Sequence, residues 1–210
     1  PQLGLMIPFA LLAAGQWRAI LAASGTALAL AALPTLLVGA EYWSLLSGRL
    51  SEQAERMVQL AGDLALTVGP VFFATMLGLG TSAALALQAG ITAIAALSVV
   101  LFWRSDRIGF DAKLALLLIA ILLSAPYLWY YEAAMMPAIG LFLLRAGILT
   151  TRLPHLGLLL LLWVGAGLQS LNAFAKVADD RFLGGVIVTP VLGIAFILCW
   201  MHFLRAKRMD

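Results

Sequence analysis

The residues best suited to chemistry sit in one short run, Ser124-Ala125-Pro126-Tyr127-Leu128-Trp129-Tyr130-Tyr131-Glu132, followed by Met135-Met136-Pro137. Four aromatics and one carboxylate supply stacking faces for a sugar, phenolic hydrogen-bond donors and a candidate proton acceptor, Glu132. The same aromatics also fit the belt of Trp and Tyr found wherever a helix leaves a bilayer, and composition alone leaves both readings open. The carboxylate is harder to absorb into a belt, because at the turn of a tight hairpin it needs water or a partner.

Elsewhere the chemistry is sparse. The single cysteine, Cys199, lies in an apolar run, which excludes an intrachain disulfide and a thiolate metal cluster. His155 and His202 have no carboxylate at a metal-ligand spacing, so no metal site is expected and neither histidine is a catalytic candidate. Gln88, Gln169, Ser170 and Asn172 are the notable polar groups inside apolar runs, and such groups mostly tie helices together. The remaining cation candidates are Arg49, Arg56, Lys176 and Arg181, each of which could meet a phosphate or simply a lipid headgroup.

These residues are carried by a chain of 210 residues that is 63% hydrophobic and only 11% charged. That balance lies far outside soluble usage, and so small a globule could not bury this much apolar surface within itself. A polytopic membrane protein follows. The net charge of +3 comes from thirteen basic residues scattered among apolar runs, with no basic stripe to suit nucleic acid.

Backbone amides in lipid must be paired within the chain, so the apolar runs should be helices. The expected fold is an all-α transmembrane helical bundle, one integral membrane domain over residues 1–210, with about six complete spans plus a truncated first one. The segments are Leu3 to Gly15, Ala19 to Ala40, Thr81 to Trp103, Leu114 to Tyr131, Ala133 to Ile148, Leu156 to Phe174 and Leu183 to Leu204. The first run is about thirteen residues where a crossing needs about twenty, so the chain is expected to be the carboxy-terminal portion of a longer protein.

Charge sets the orientation. Arg18, Arg104, Arg107, Lys113, Arg145, Arg152, Arg205, Lys207 and Arg208 fall on one side, which the excess of basic residues makes the cytoplasm, and the carboxy terminus lies there too. Most carboxylates, Glu132 among them, then face outward. Two crossings must separate the basic loops at 104–113 and 145–155, with the turn at Tyr130-Tyr131-Glu132.

The longest loop contains an amphipathic helix, residues 41–66. Trp43, Leu46, Leu50, Ala54, Met57, Ala61 and Leu64 recur at three- and four-residue steps, opposite a stripe of Arg49, Glu52, Arg56, Gln59 and Asp63. It is expected flat on the outer surface, with Glu52 and Arg56 paired at i,i+4, or else packed on the bundle. The uncharged stretch Thr67 to Gly80 is too short to cross comfortably and is expected to be juxtamembrane or re-entrant.

With the residues in view, a resemblance becomes specific. Pro126-Tyr127, Tyr131-Glu132 and Pro137 resemble the Pro-Tyr, Tyr-Asp, Pro pattern near the end of glycosyltransferase family 87, the bacterial polyprenyl-phosphate-mannose-dependent mannosyltransferases and their relatives. Pro1-Gln2-Leu3-Gly4 and Trp17-Arg18-Ala19 are similar to that family's Lys-Pro-Gln-Leu-Gly segment and the basic turn after it. Glu41 to Leu50 resembles its outer Gly-x-x-x-Trp loop, and Val71 to Gly80 with Ala84 to Gly90 resembles its Phe-rich stretch, Leu-Gly and Ala-Leu-Gln-Ala. The set covers nearly all of this chain and the later half of a typical member.

The resemblance implies a GT-C type fold in the bacterial inner membrane. It implies transfer of a hexose, mannose foremost, from a polyprenyl-phosphate donor to a glycolipid or glycan acceptor on the extracytoplasmic face, among membrane lipids and without nucleotide sugar, metal or other cofactor. The principal catalytic carboxylate is expected in an outer loop upstream of these residues. Glu132 stands where the family has Asp; it is a candidate for hydroxyl binding or cavity shaping, and less so for the base. Gln2, Pro126, Tyr127, Tyr131, Arg49 and Arg56 are the substrate-binding candidates. Two other readings stand beside the enzyme: a membrane scaffold or lipid-binding protein that has lost its chemistry, and a small-solute transporter. The transporter is disfavoured because, apart from Arg145 near a helix end, no charge lies in the central part of a span.

Overall fold

The computed structural model describes residues 2–60, 69–126, 128, 129, 131–175 and 183–208. Among them every regular element is a helix, in a polytopic all-α bundle. After a 3-10 turn at Gln2–Gly4 come α1 (Ile7–Ala13), α2 (Trp17–Val38), α3 (Glu41–Leu60), α4 (Pro70–Met76), α5 (Thr81–Arg104), α6 (Phe110–Ser124), α7 (Met136–Arg145), α8 (Leu153–Ala175) and α9 (Leu183–Arg208). A second 3-10 turn, Glu132–Met135, leads into α7.

Helix α6 is the axis of the molecule. It packs on α5, α7 and α9, and nine of its fifteen residues, from Ala112 to Ser124, are buried. Phe102, Leu116, Ile119, Leu122, Leu128, Met136, Ile139, Leu143, Leu162 and Leu192 form the centre of the core around it. Small residues on its other side, Ala120 with Ala95 and Ala10, let α5 and α1 approach closely.

Three described helices are long and apolar enough to cross a membrane: α2, α5 and the Ile187–Lys207 part of α9. At the central hairpin the described helices are shorter than the expected crossings. At 1.5 Å per residue, α6 is ~22 Å long and α7 ~15 Å, both short of a ~30 Å hydrocarbon core. Most of α6 is buried, and a helix covered by protein has no need to match bilayer thickness; irregular ends are tolerated where protein covers them. Helix α7 stops at Gly147, whose φ of +69° suits glycine, while the Ile148 N–H reaches back to the Leu143 carbonyl at 3.0 Å.

The basic segments gather at one end. Arg145, closing α7, pairs with Asp111 in the first turn of α6 at 3.4 Å, and the Lys113 ammonium lies 3.5 Å from the Trp103 carbonyl near the end of α5. Arg104, Arg107 and Lys207 meet around a cavity at that same end. Five of the nine basic residues that the charge pattern groups thus lie at one end of the described bundle.

Helices α2 and α3 form an arm. They turn at Gly39, whose φ of +100° favours glycine, and the Trp43 indole N–H donates to the Thr35 hydroxyl at 2.7 Å. Helix α3 spans 41–60 of the expected amphipathic 41–66; residues 61–66 lie outside the described residues. Its charge pair is Arg49–Glu52 at 3.3 Å, at the three-residue spacing. The expected Glu52–Arg56 pair lies outside the description, because the Arg56 side chain does. The expected juxtamembrane piece is the short α4, whose Val71 and Ala74 bury against Ala84 of α5.

Candidate functional site at the aromatic corner

Helix α6 ends where its sequence requires. Ala125, held extended at φ −77° and ψ 113° before Pro126, leaves the helix, and the Ser124 hydroxyl donates to the Ile121 carbonyl at 3.0 Å. On α5, Gln88 donates from Nε2 to the Leu123 carbonyl at 2.9 Å and to the Thr92 hydroxyl at 3.2 Å. Gln88 is therefore a tie between helices, as its place in an apolar run predicts, and it takes up a carbonyl freed by the helix end. Its Oε1 is buried without a partner among the described residues.

That tie fixes the depth of the corner. Gln88 stands sixteen residues before Arg104, so the end of α6 lies ~24 Å from the basic end, and α5 continues about 10 Å beyond it to Thr81. Ala125 and Pro126 thus leave the helix short of the α5 terminus, and Leu128 and Trp129 follow as non-helical chain. At such depth irregular backbone persists only where protein buries it or where it lines a cavity.

Glu132 holds this segment in shape. Its Oε2 accepts the Trp129 backbone N–H at 2.9 Å, while its own N–H donates to the Trp129 carbonyl at 3.0 Å. This is the reach-back that a third-position glutamate makes in a capping box. The two bonds fold Trp129 and Tyr131 to the same side, with ring centroids 6.2 Å apart and planes 14° from parallel. Tyr131 is 59% exposed, so the stacked pair presents an open aromatic face.

A second strand of chain presses on the corner from behind. A Cβ on Gly69 would lie 3.2 Å from both the Ala125 carbonyl oxygen and the Leu128 Cβ. The buried Gly69-Pro70 start of α4 therefore approaches this loop as closely as glycine allows, a contact that no spacing rule in the sequence signals. On the lipid side of the α6 terminus, Leu123 joins Ile91, Ile94, Ala95, Thr189, Gly193, Phe196 and Ile197 around an almost wholly apolar crevice of about 280 Å³ between α5 and α9.

The sequence candidates divide accordingly. Pro126, Tyr131 and Glu132 come together. Tyr127 lies outside the described residues, as do Lys176 and Arg181; of Gln2 and Arg56 only the backbone is described. Arg49 is on α3, which packs on α2 and makes no extensive contact with α6 or α7, so the structure does not bring it to the corner. His155 accepts the Thr150 backbone N–H at 3.0 Å through Nδ1 and shapes the start of α8.

Among the described residues, a helical bundle with three helices long and apolar enough to cross a membrane, an irregular turn that carries an aromatic face, and an apolar crevice together define a class: integral membrane proteins. The sequence profile of Glycosyltransferase family 87 matches residues 1–126, and the chain belongs to that family. It is accordingly a membrane glycosyltransferase. The match ends at Pro126, so the Trp129–Glu132 turn lies just past it. No curated protein and no solved structure matches the chain.

Proposed function

We propose that the protein transfers a hexose, mannose foremost, from a polyprenyl-phosphate donor to a glycolipid or glycan acceptor at the extracytoplasmic face of a bacterial inner membrane. The observation that supports this reading is that one helix end, that of α6, carries both Leu123 in the wall of the apolar crevice and, a few residues on, the exposed Trp129–Tyr131 face. An isoprenoid chain suits a crevice lined by Ile91, Ile94, Phe196 and Ile197, and a pyranose ring suits a flat aromatic face.

In the reaction the acceptor hydroxyl oxygen attacks the anomeric carbon, the bond from that carbon to the phosphate oxygen breaks, and polyprenyl phosphate leaves with the electron pair. The hydroxyl proton passes to a base. Glu132 is poorly placed for that task because Oε2 is already committed to Trp129; its part is to position the aromatic face. A separate outer carboxylate serves as base in this reading, and Pro126, Tyr127 and Tyr131 contact the sugar, with Arg49, Arg56 and Gln2 as the remaining binding candidates.

The test is transfer of labelled mannose from polyprenyl-phosphate-mannose in membranes containing the protein. Tyr131→Ala is expected to lower kcat/KM about tenfold or more, and Glu132→Ala to do the same by releasing Trp129, whereas Glu132→Gln, which still offers an oxygen to the Trp129 N–H, retains much of the rate. Wild-type rates in both alanine variants would remove the corner from the mechanism. Equal, complete losses in Glu132→Gln and Glu132→Ala would return Glu132 to the role of base.

A further inference from the structure

The opposite end of the α5–α9 groove is built differently. Helices α5 and α9 do not pack backbone on backbone; they meet through a bridge of large side chains. The Trp200 indole N–H donates to the Ser98 hydroxyl at 3.0 Å, and Phe203 stacks on Phe102 with centroids 4.8 Å apart. The apolar crevice lies on one side of this bridge. On the other lies a cavity of about 300 Å³, lined by Arg104, Ser105, Asp106 and Arg107 of the α5–α6 turn and by Phe203, Ala206 and Lys207 of α9.

Among the described residues, three cations thus converge on one cavity from the end of α5, the turn after it and α9, with Asp106 the single lining carboxylate and Phe203 and Ala206 beside them. Both α5 and α9 end here, so their terminal carbonyls carry partial negative charge toward the same place. Arg104 and Lys207 stand at those two ends with the opposite charge. Exposed apolar stripes lead to the cavity along both helices: Ile94, Leu97 and Leu101 run at helical spacing to Arg104, and Ile194, Ile197, Met201 and Leu204 run beside Lys207.

We propose that this cavity binds a phosphate-bearing anion, with the charge among Arg104, Arg107 and Lys207 and the adjoining apolar part against Phe203. The apolar stripes make a membrane phospholipid the source, its headgroup in the cavity and its acyl chains along α5 and α9. This site is separate from the aromatic corner and does not depend on the reaction assigned there. It anchors the α5–α6 turn to the end of α9, two elements otherwise joined through the aromatic bridge.

The experiment is native mass spectrometry of the protein in maltoside micelles with equimolar phosphatidylglycerol and phosphatidylcholine. Wild type is expected to retain phosphatidylglycerol at least fivefold over phosphatidylcholine. Arg104→Gln with Lys207→Gln loses that preference about tenfold, Arg18→Gln with Arg152→Gln keeps it, and Asp106→Asn raises it. Added glycerol 3-phosphate at millimolar concentration leaves the lipid in place if the acyl chains contribute as argued; displacement supports the phosphate site with a soluble source instead. Equal retention of the two lipids by wild type overturns the proposal, as does an unchanged preference in the Arg104/Lys207 double variant. Should that variant not fold, a preference unmoved by Asp106→Asn overturns it equally.

Discussion

Helices α2 and α6 are both built mostly from Leu, Ala and Ile, yet they have different surroundings. Nine of the fifteen residues of α6 are buried, while α2 buries none of its residues, and Leu21, Leu28, Leu36 and Leu37 are each more than two thirds exposed. Lipid tails are as apolar as leucine, so transfer from water cannot distinguish the two environments; only packing can. The difference teaches where sequence chemistry is constrained. Around α6 each side chain has a shape to match, and the corner at its end inherits that order. The α2–α3 arm touches the rest chiefly through α1 and has no such demand on it.

The largest expected effect breaks the comparison at its packed side. Ile119→Ala, fully buried at the middle of α6, should cost about 2–5 kcal/mol by leaving a cavity, read as thermal unfolding in detergent. Leu28→Ala on α2 should leave the same transition within about 0.5 kcal/mol. A comparable drop in both would mean that α2 has a protein neighbour in the assembled membrane. Next in size is Gly69→Val, whose branched side chain has no room against Ala125 and Leu128. It should cost about 1–3 kcal/mol and lower glycosyl transfer together with stability. The smallest sharpens the picture at the bridge: Trp200→Phe keeps a ring against Phe102 and Phe203 but loses the hydrogen bond to Ser98, for about 0.5–1.5 kcal/mol. A double-mutant cycle with Ser98→Ala should recover that amount as coupling.

Much of this architecture was legible in the residues. Helices α5 and α9 read directly from long uncharged runs ending in Arg104 and in Arg205-Ala206-Lys207-Arg208, and α3 from its three- and four-residue periodicity. The family was legible too, from ordered short motifs. The helix ends of the central hairpin were not, because hydropathy reports how apolar a segment is and not where its helix stops; the run Leu114 to Tyr131 carries a helix that ends at Ser124. At the corner, aromatic crowding and proline marked the place, and Glu132 was visible as an unusual charge. Its partner was not visible, since the Trp129 N–H becomes available only once the chain turns. The close approach of Gly69 was equally hidden, being a contact between segments more than fifty residues apart.

The roughly ten ångströms by which α5 runs on past the Gln88 tie bear on the proposed reaction. In that reading an acceptor on its way to the end of α6 passes the α5 terminus first, a path that suits a slender sugar on a lipid better than a bulky folded protein.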